Sequence, residues 1–223
     1  MTHKLVRLLS AAAIGSAGLL PLAQAETITF ESVSGVYMPG ESFVQGAFTL
    51  TTRLDFGVID TATALGSQSP TGNATQFYFN SNDGALDLAR TDGGLFSLSS
   101  FSAAFVALDP ASLQTTVIVA VGTLANNTQV TASWSFASSL TTHYPFSTYS
   151  SPASFAAFGS VKLVQFHACS LVGSAICTQP TMNNGQFAID NIVATPVPEP
   201  AALTLMTLGL LGLGLRARRA AAR

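Results

Sequence analysis

Between residues 26 and 195 the chain is broken at short intervals by residues that stop helices: Pro70-Thr71-Gly72-Asn73, Asn82-Asp83-Gly84, Asp92-Gly93-Gly94, Asp109-Pro110, Asn126-Asn127 and Asn183-Asn184-Gly185. Glycine reaches left-handed backbone freely, proline lacks a donor, and Asn and Asp bond their own backbone, so each cluster is a turn. The intervals carry no convincing amphipathic helix. They are β-favouring runs: Thr27 to Phe30, Phe43 to Arg53, Gln76 to Asn80, Ala85 to Ala89, Leu95 to Ser100, Ala103 to Leu108, Thr116 to Gly122, Thr128 to Ala137, Ser154 to His167 and Gln186 to Thr195. Within the eighth, Val130, Ala132, Trp134 and Phe136 alternate with Thr131, Ser133 and Ser135, so one face is core and the other water. Val117 to Val121 is apolar throughout and predicts a central strand covered on both faces. Short strands separated by turns, with no useful repeat and no internal linker, predict one all-β domain, a sandwich or barrel.

Charge is sparse in this body. Arg53, Arg90 and Lys162 are its fixed cations against ten carboxylates; the full-chain value of −2 conceals the imbalance because six of the nine basic residues lie in the flanks. Nucleic acid and anionic lipid are bound through clustered Lys and Arg, so neither is an expected partner.

Catalytic patterns are missing from the sequence. It has no Gly-x-Ser-x-Gly, no His-Glu-x-x-His, no phosphate-cradling loop and no dinucleotide fingerprint. Of the two body histidines, His143 reads as a loop residue and His167 as a strand-end residue. Within the body glutamates stand only at 26, 31 and 41, and although aspartate pairs could serve, the sequence shows no opposed pair for glycosidase chemistry. The expectation is therefore a protein that is not an enzyme and holds no cofactor; a secreted hydrolase acting on polysaccharide is the alternative. Asn80, Asn82, Asp83, Asp87 and Asp92 gather oxygens near turns, and a structural Ca²⁺ at Asn82, Asp83 and Asp190 is one reading of them, plain turn formation the other. Trp134 reads as core from its alternation, with sugar stacking as the competing role. Residues 138 to 153 read as a long irregular loop in which Tyr144 and Tyr149 are exposed and available to a ligand. Cys169 and Cys177, an even pair in a chain built for export, are expected to form a disulfide around Gly173.

The flanks carry that export reading. Lys4 and Arg7 precede an apolar stretch from Leu8, and Ala23-Gln24-Ala25 supplies the small residues that signal peptidase needs, with cleavage before Glu26. At the other end Pro196-Val197-Pro198-Glu199-Pro200 cannot be helix or central strand and forms an exposed linker. The uncharged run from Ala201 to Leu215 follows, and then Arg216, Arg218 and Arg219. As a helix the run spans about 22 Å, short of the roughly 30 Å hydrocarbon core. It reads as a marginal membrane anchor with its arginines in the cytoplasm, the alternative being a buried C-terminal core helix followed by a solvated basic end. This order resembles the PEP-CTERM sorting signal of Gram-negative bacteria. The resemblance implies transient anchoring in the inner membrane until an exosortase recognises Val197 to Pro200 and removes the tail, leaving the protein at the cell surface or in the extracellular matrix. The chain then divides into a signal peptide (1–25), a body (26–195) and a sorting signal (196–219).

A narrower likeness sits just before the linker. Gln186-Phe187-Ala188-Ile189-Asp190 is similar to the defining motif of QFxxD-type PEP-CTERM proteins, and Gln76-Phe77-Tyr78-Phe79 and Asp92-Gly93-Gly94-Leu95-Phe96-Ser97-Leu98 have the look of the same bodies. What it implies is a jelly-roll β-sandwich of the galactose-binding or carbohydrate-binding-module type, in a surface or matrix protein that associates with exopolysaccharide.

Overall fold

The computed structural model describes residues 24–106, 115–136, 144–171, 185–198 and 209. Its strands are β1 (Glu26–Ile28), β2 (Gly35–Tyr37), β3 (Ser42–Gln45), β4 (Phe48–Arg53), β5 (Gly57–Asp60), β6 (Phe77–Asn80), β7 (Ala85–Arg90), β8 (Phe96–Phe105), β9 (Thr115–Leu124), β10 (Gln129–Ser135), β11 (Ser147–Tyr149), β12 (Val161–Leu171) and β13 (Phe187–Pro196). They form two facing antiparallel layers. One runs β3-β4-β7-β12-β9-β10 and the other β2-β5-β6-β13-β8-β11, with β1 on the C-terminal half of β13. A single pair, Val161 with Phe96, joins β12 to β8 and nearly closes the sheet on itself. The architecture is a jelly-roll-like β-sandwich.

β9 lies between β10 and β12 with both faces covered: Ile118 and Ala120 face the core, and Val117 and Val119 are buried on the outer side. β10 alternates as expected, with Val130, Ala132 and Trp134 packed on the core and Thr131, Ser133 and Ser135 exposed. Elsewhere the boundaries differ. The run from Phe43 to Arg53 is a hairpin, because Gly46 has φ 55 and turns the chain between β3 and β4. The two segments expected on either side of Phe101 and Ser102 join in one strand, β8, because Phe101 enters the core and Ser102 continues the ladder opposite Asp190, while Ser99 is skipped at an irregularity. The run expected from Ser154 begins instead with a helical turn, Pro152–Phe155, started by proline at its first position. β13 continues one residue past the expected boundary of the body. Among the described residues no helix is long and apolar enough to cross a membrane; the expected sorting helix, apart from Gly209, lies outside them.

The core is strongly aromatic around β8. Phe101 meets Trp134, Tyr149, Phe155 and Phe166 at ring-centroid distances of 5.0, 5.3, 5.8 and 5.3 Å. Such pairs add roughly 0.5–1.5 kcal/mol each beyond the area they bury. Trp134 also stacks on Phe155 at 4.9 Å, so the helical turn closes this part of the sandwich. Tyr144 corrects the sequence reading: it is 4% exposed and stands edge-on to Phe105 at 5.2 Å. The reason is local pairing. Thr71 donates its N–H to the Tyr144 carbonyl and bridges to Pro145, which draws the segment inward. The supposed loop then contains β11, paired with β8. Tyr149 is half-buried on Phe101, and its hydroxyl donates to the Ser135 carbonyl at 3.0 Å.

β13 is the strand on which the second layer is assembled. Its first half pairs with β6 and its second half with β1, while β8 runs along the other side. The change of neighbour occurs at a bulge where Asn191 takes φ 51, a left-handed conformation that Asn tolerates. Phe187 and Ile189 enter the core. Asp190 faces outward but is 1% exposed, covered by the Asn73–Thr75 turn. Its carboxylate accepts from Asn73 Nδ2 at 2.8 Å, from the Asn191 N–H at 2.7 Å and from Asn191 Nδ2 at 3.0 Å. These donors favour the charge, yet burial dominates and pushes the acid up to about 6, with Glu31 adding to the rise.

Two predictions follow from this packing. Tyr144→Ala and Trp134→Ala should each cost about 2–4 kcal/mol, as large core truncations do, and lower Tm by roughly 5–15 °C; a Tyr144→Ala protein that melts with the parent would remove that ring from the core. Asp190 binds its proton more tightly folded than unfolded, so its contribution to stability is fully present below the unfolded value and is lost as pH rises through about 6. Urea titrations from about pH 4 to about pH 7 should show the parent losing of order 2 kcal/mol relative to Asp190→Asn. Parallel pH profiles would refute this.

Candidate functional site

The carboxylates single out one place on the surface. Eight of the nine that are described accept a backbone N–H: Glu26 from Ala47, Glu31 from Gln76, Glu41 from Met38, Asp55 from Phe56, Asp60 from Thr61, Asp83 from Gly185, Asp92 from Gly94 and Asp190 from Asn191. Each fastens a turn or a chain end. Asp87 differs: its partners are side chains, Gln165 Nε2 on Oδ1 at 2.8 Å and Arg53 Nε on Oδ2 at 2.7 Å.

Strand register explains how these three meet. Asp87 on β7 stands opposite Gln165 on β12 and Thr51 on β4, and Thr51 stands opposite Ser42 on β3. All project from the outer face, because Leu86, Leu88, Leu50 and Val164 on the same strands fill the core. The row Ser42-Thr51-Asp87-Gln165 thus crosses four strands, or about 15 Å at the usual spacing. The next row holds Arg53, Ala85 and His167. Ser42 and Thr51 hydroxyls lie 2.8 Å apart.

Asp87 is buried and Arg53 is half exposed, at 7% and 50% of their side-chain surfaces. The carboxylate therefore holds Arg53 and Gln165 in place from beneath, while the guanidinium's terminal nitrogens and the Gln165 amide oxygen remain for a partner at the surface. The ion pair, open to solvent on the arginine side, contributes about 1 kcal/mol or less to stability. Its effect is positional: it fixes donors and acceptors in a shallow, flat row. His167 borders the row in mid-strand rather than at a strand end, and burial holds its imidazole below the ordinary value. Asp87, with one side-chain donor on each oxygen, is an anchor for its neighbours.

Other residues singled out by sequence fall elsewhere. The Ca²⁺ trio is not brought together. Asn82 donates to Asp55 at 2.6 Å and Asp83 accepts from Gly185 beyond the C-terminal end of β6, whereas Asp190 lies beside that strand's start under Asn73. Among the described residues no three His, Cys, Asp or Glu side chains converge on a metal position. Asn80 is fully buried, accepting from the Tyr78 hydroxyl at 3.1 Å. Gln186 and Phe187 are buried, Phe187 against Tyr78. Cys169 is buried beside Val117 and Val119; its expected partner Cys177 lies outside the described residues, as do Ala23, His143, Glu199, Pro200, Arg216, Arg218 and Arg219. Ala25 is exposed just before β1, and Pro198 is exposed beyond β13. Sequence reasoning missed Gln165 and gave Arg53 no role, since their meeting with Asp87 depends on register across 78 and 34 positions.

Comparison with solved structures places the body. A DUF4465 family protein from Bacteroides caccae is similar over 78% of this chain and 100% of its own, with TM-score 0.53 and 12% identity, which is a likeness of fold. The CBM22-1 xylan-binding domain of Paenibacillus barcinonensis Xyn10C matches 82% of this chain and 100% of its own at TM-score 0.36 and 12% identity. No curated protein matches the sequence. Residues 196–219 match the family model for the PEP-CTERM protein-sorting motif. That motif follows directly on a β-sandwich, so the chain carries a PEP-CTERM sorting signal, which indicates export and exosortase-mediated sorting.

Proposed function

We propose that the mature protein is a non-enzymatic surface or matrix sandwich that associates with exopolysaccharide through the row Ser42-Thr51-Asp87-Gln165 and the neighbouring Arg53. The observation that carries this reading is Asp87, the one described carboxylate spent on arranging side chains rather than on fastening backbone. A flat ladder of hydroxyl, amide and guanidinium groups at strand spacing suits a hydroxyl-rich polymer, which needs many modest hydrogen bonds rather than a deep pocket. The glutamates fit this reading, since each is engaged by a separate backbone N–H.

Signal peptidase is the first partner, cutting before Glu26. That cut leaves β1 whole, because Glu26 opens the strand opposite Ala194 and its carboxylate holds the β3–β4 turn through the Ala47 N–H. Exosortase then removes the tail. Intact-mass measurement of the released protein should give Glu26 as first residue and no segment beyond the Pro-Glu-Pro region; retention of residues 201–223 would refute the processing reading.

Binding is tested with exopolysaccharide from the producing organism, by affinity electrophoresis. Thr51→Val with Arg53→Lys should weaken retention roughly tenfold, the worth of one or two surface hydrogen bonds, with Tm close to the parent's. Unchanged retention would move the binding surface elsewhere. Release of reducing ends from the same polymer would instead establish the hydrolase.

A further inference from the structure

Arg90 is one of three fixed cations in the body, and the row on the outer face does not use it. It stands at the end of β7 and opens a tight turn, Arg90-Thr91-Asp92-Gly93-Gly94-Leu95, closed by the Gly93 N–H on the Arg90 carbonyl at 3.0 Å. Its guanidinium is largely buried and divided among three acceptors. Nη2 donates to Asp92, while Nη1 reaches the Leu95 carbonyl at 3.1 Å and the Val197 carbonyl at 3.4 Å. Asp92 is itself fixed by the Gly94 N–H at 2.9 Å. The Leu95 carbonyl also accepts the Val197 N–H at 2.8 Å. Both backbone groups of Val197 are thereby committed to this turn.

Val197 is the residue immediately before Pro198-Glu199-Pro200. We propose that the Arg90–Leu95 turn is a clamp that sets the upstream limit of C-terminal processing, by holding the Val197 backbone so that Pro198 is the first residue a processing enzyme can take. The proposal rests on exosortase processing of this chain. A peptide enters a protease site extended, with its backbone groups free to pair with the enzyme, as in strand addition. Val197 has none free. Upstream of it, Pro196 to Val193 lie in the β13–β8 ladder, so a cut there would require peeling a central strand. The clamp depends on glycine at 94, because a Cβ there would stand 2.7 Å from Arg90 Nη1 and 2.8 Å from Cζ. Arg90 is thus a positioning residue for the reaction that this chain undergoes as substrate.

The test uses the full-length precursor in its exosortase-bearing host, with C-termini of the released protein read by intact mass. Parent protein should end at Pro198 or beyond. Arg90→Gln removes the guanidinium, and Gly94→Ala displaces it while leaving the charge; each should raise the share of ends at Pro196 and Val197 roughly tenfold. Released parent treated with a carboxypeptidase should stop at Val197, whereas both variants should be trimmed further. Should Arg90→Gln fail to accumulate, Gly94→Ala decides alone. Variants that give the parent's ends and the parent's trimming overturn the clamp while leaving sorting intact. A parent that keeps its tail overturns both.

Discussion

The pairing of β13 with β8 is the contact on which the rest of the sandwich depends. β8 lines the core with Phe101 and carries β11 on its far side, and its single pair with β12 links the two layers. β13, the last strand in sequence, sits between β8 and two different partners, so β6 and β1 are placed only when the C-terminal strand is in position. The Asn191 bulge makes this exchange possible: without the extra residue, Ile192 and Ala194 would fall out of phase with the core face that Phe187 and Ile189 occupy. The Asp190-Asn191 pair that ends the QFxxD-like segment therefore has a structural account. Asn supplies the left-handed residue, and Asp secures the covering turn.

Folding then has an order imposed by topology. Strands β1 and β13 come from opposite ends of the body, and their pairing closes most of the chain into one loop, a contact that carries a large closure entropy. The same strand leads straight into the sorting signal. A body whose final strand is unpaired would expose residues 193–197, whereas a folded body withholds them and leaves Pro198 exposed. Completion of the fold and the upstream extent of the exposed linker are thus coupled through one segment of backbone.

How much of this could be read in the sequence depends on where each structure's cause lies. β9 and β10 were legible because their causes are local: an apolar run needs two covered faces, and an alternating run needs one. β2, β5 and β11 were not, being three or four residues long, two of them opening on glycine, and held by their neighbours rather than by propensity. Tyr144 read as exposed because prolines and serines surround it, yet the Thr71 bridge carries it across the end of the sandwich against Phe105. The row around Asp87 is the least legible part. A carboxylate in a β-favouring run announces neither its face nor its partners, and only register brings Gln165 and Arg53 to it.

The acid excess of the body also has a physical cause that requires no basic or metallic partner. A sandwich of short strands leaves many backbone N–H groups at strand ends and turns, and these need an acceptor, from water where exposed and from the protein where buried. A carboxylate is the strongest acceptor for such a donor, being charged and carrying no proton of its own. Eight described acids are used in this way, several across long sequence separations: Glu26 to Ala47, Glu31 to Gln76 and Asp83 to Gly185. Basic side chains have no equivalent task, since backbone carbonyls accept readily from neutral groups, and only Arg90 performs it at the chain's exit. The charge imbalance is therefore a property of the fold's connections. What remains free of that duty, Asp87 with Arg53 and Gln165 on an open sheet face, is where a surface function has room to reside.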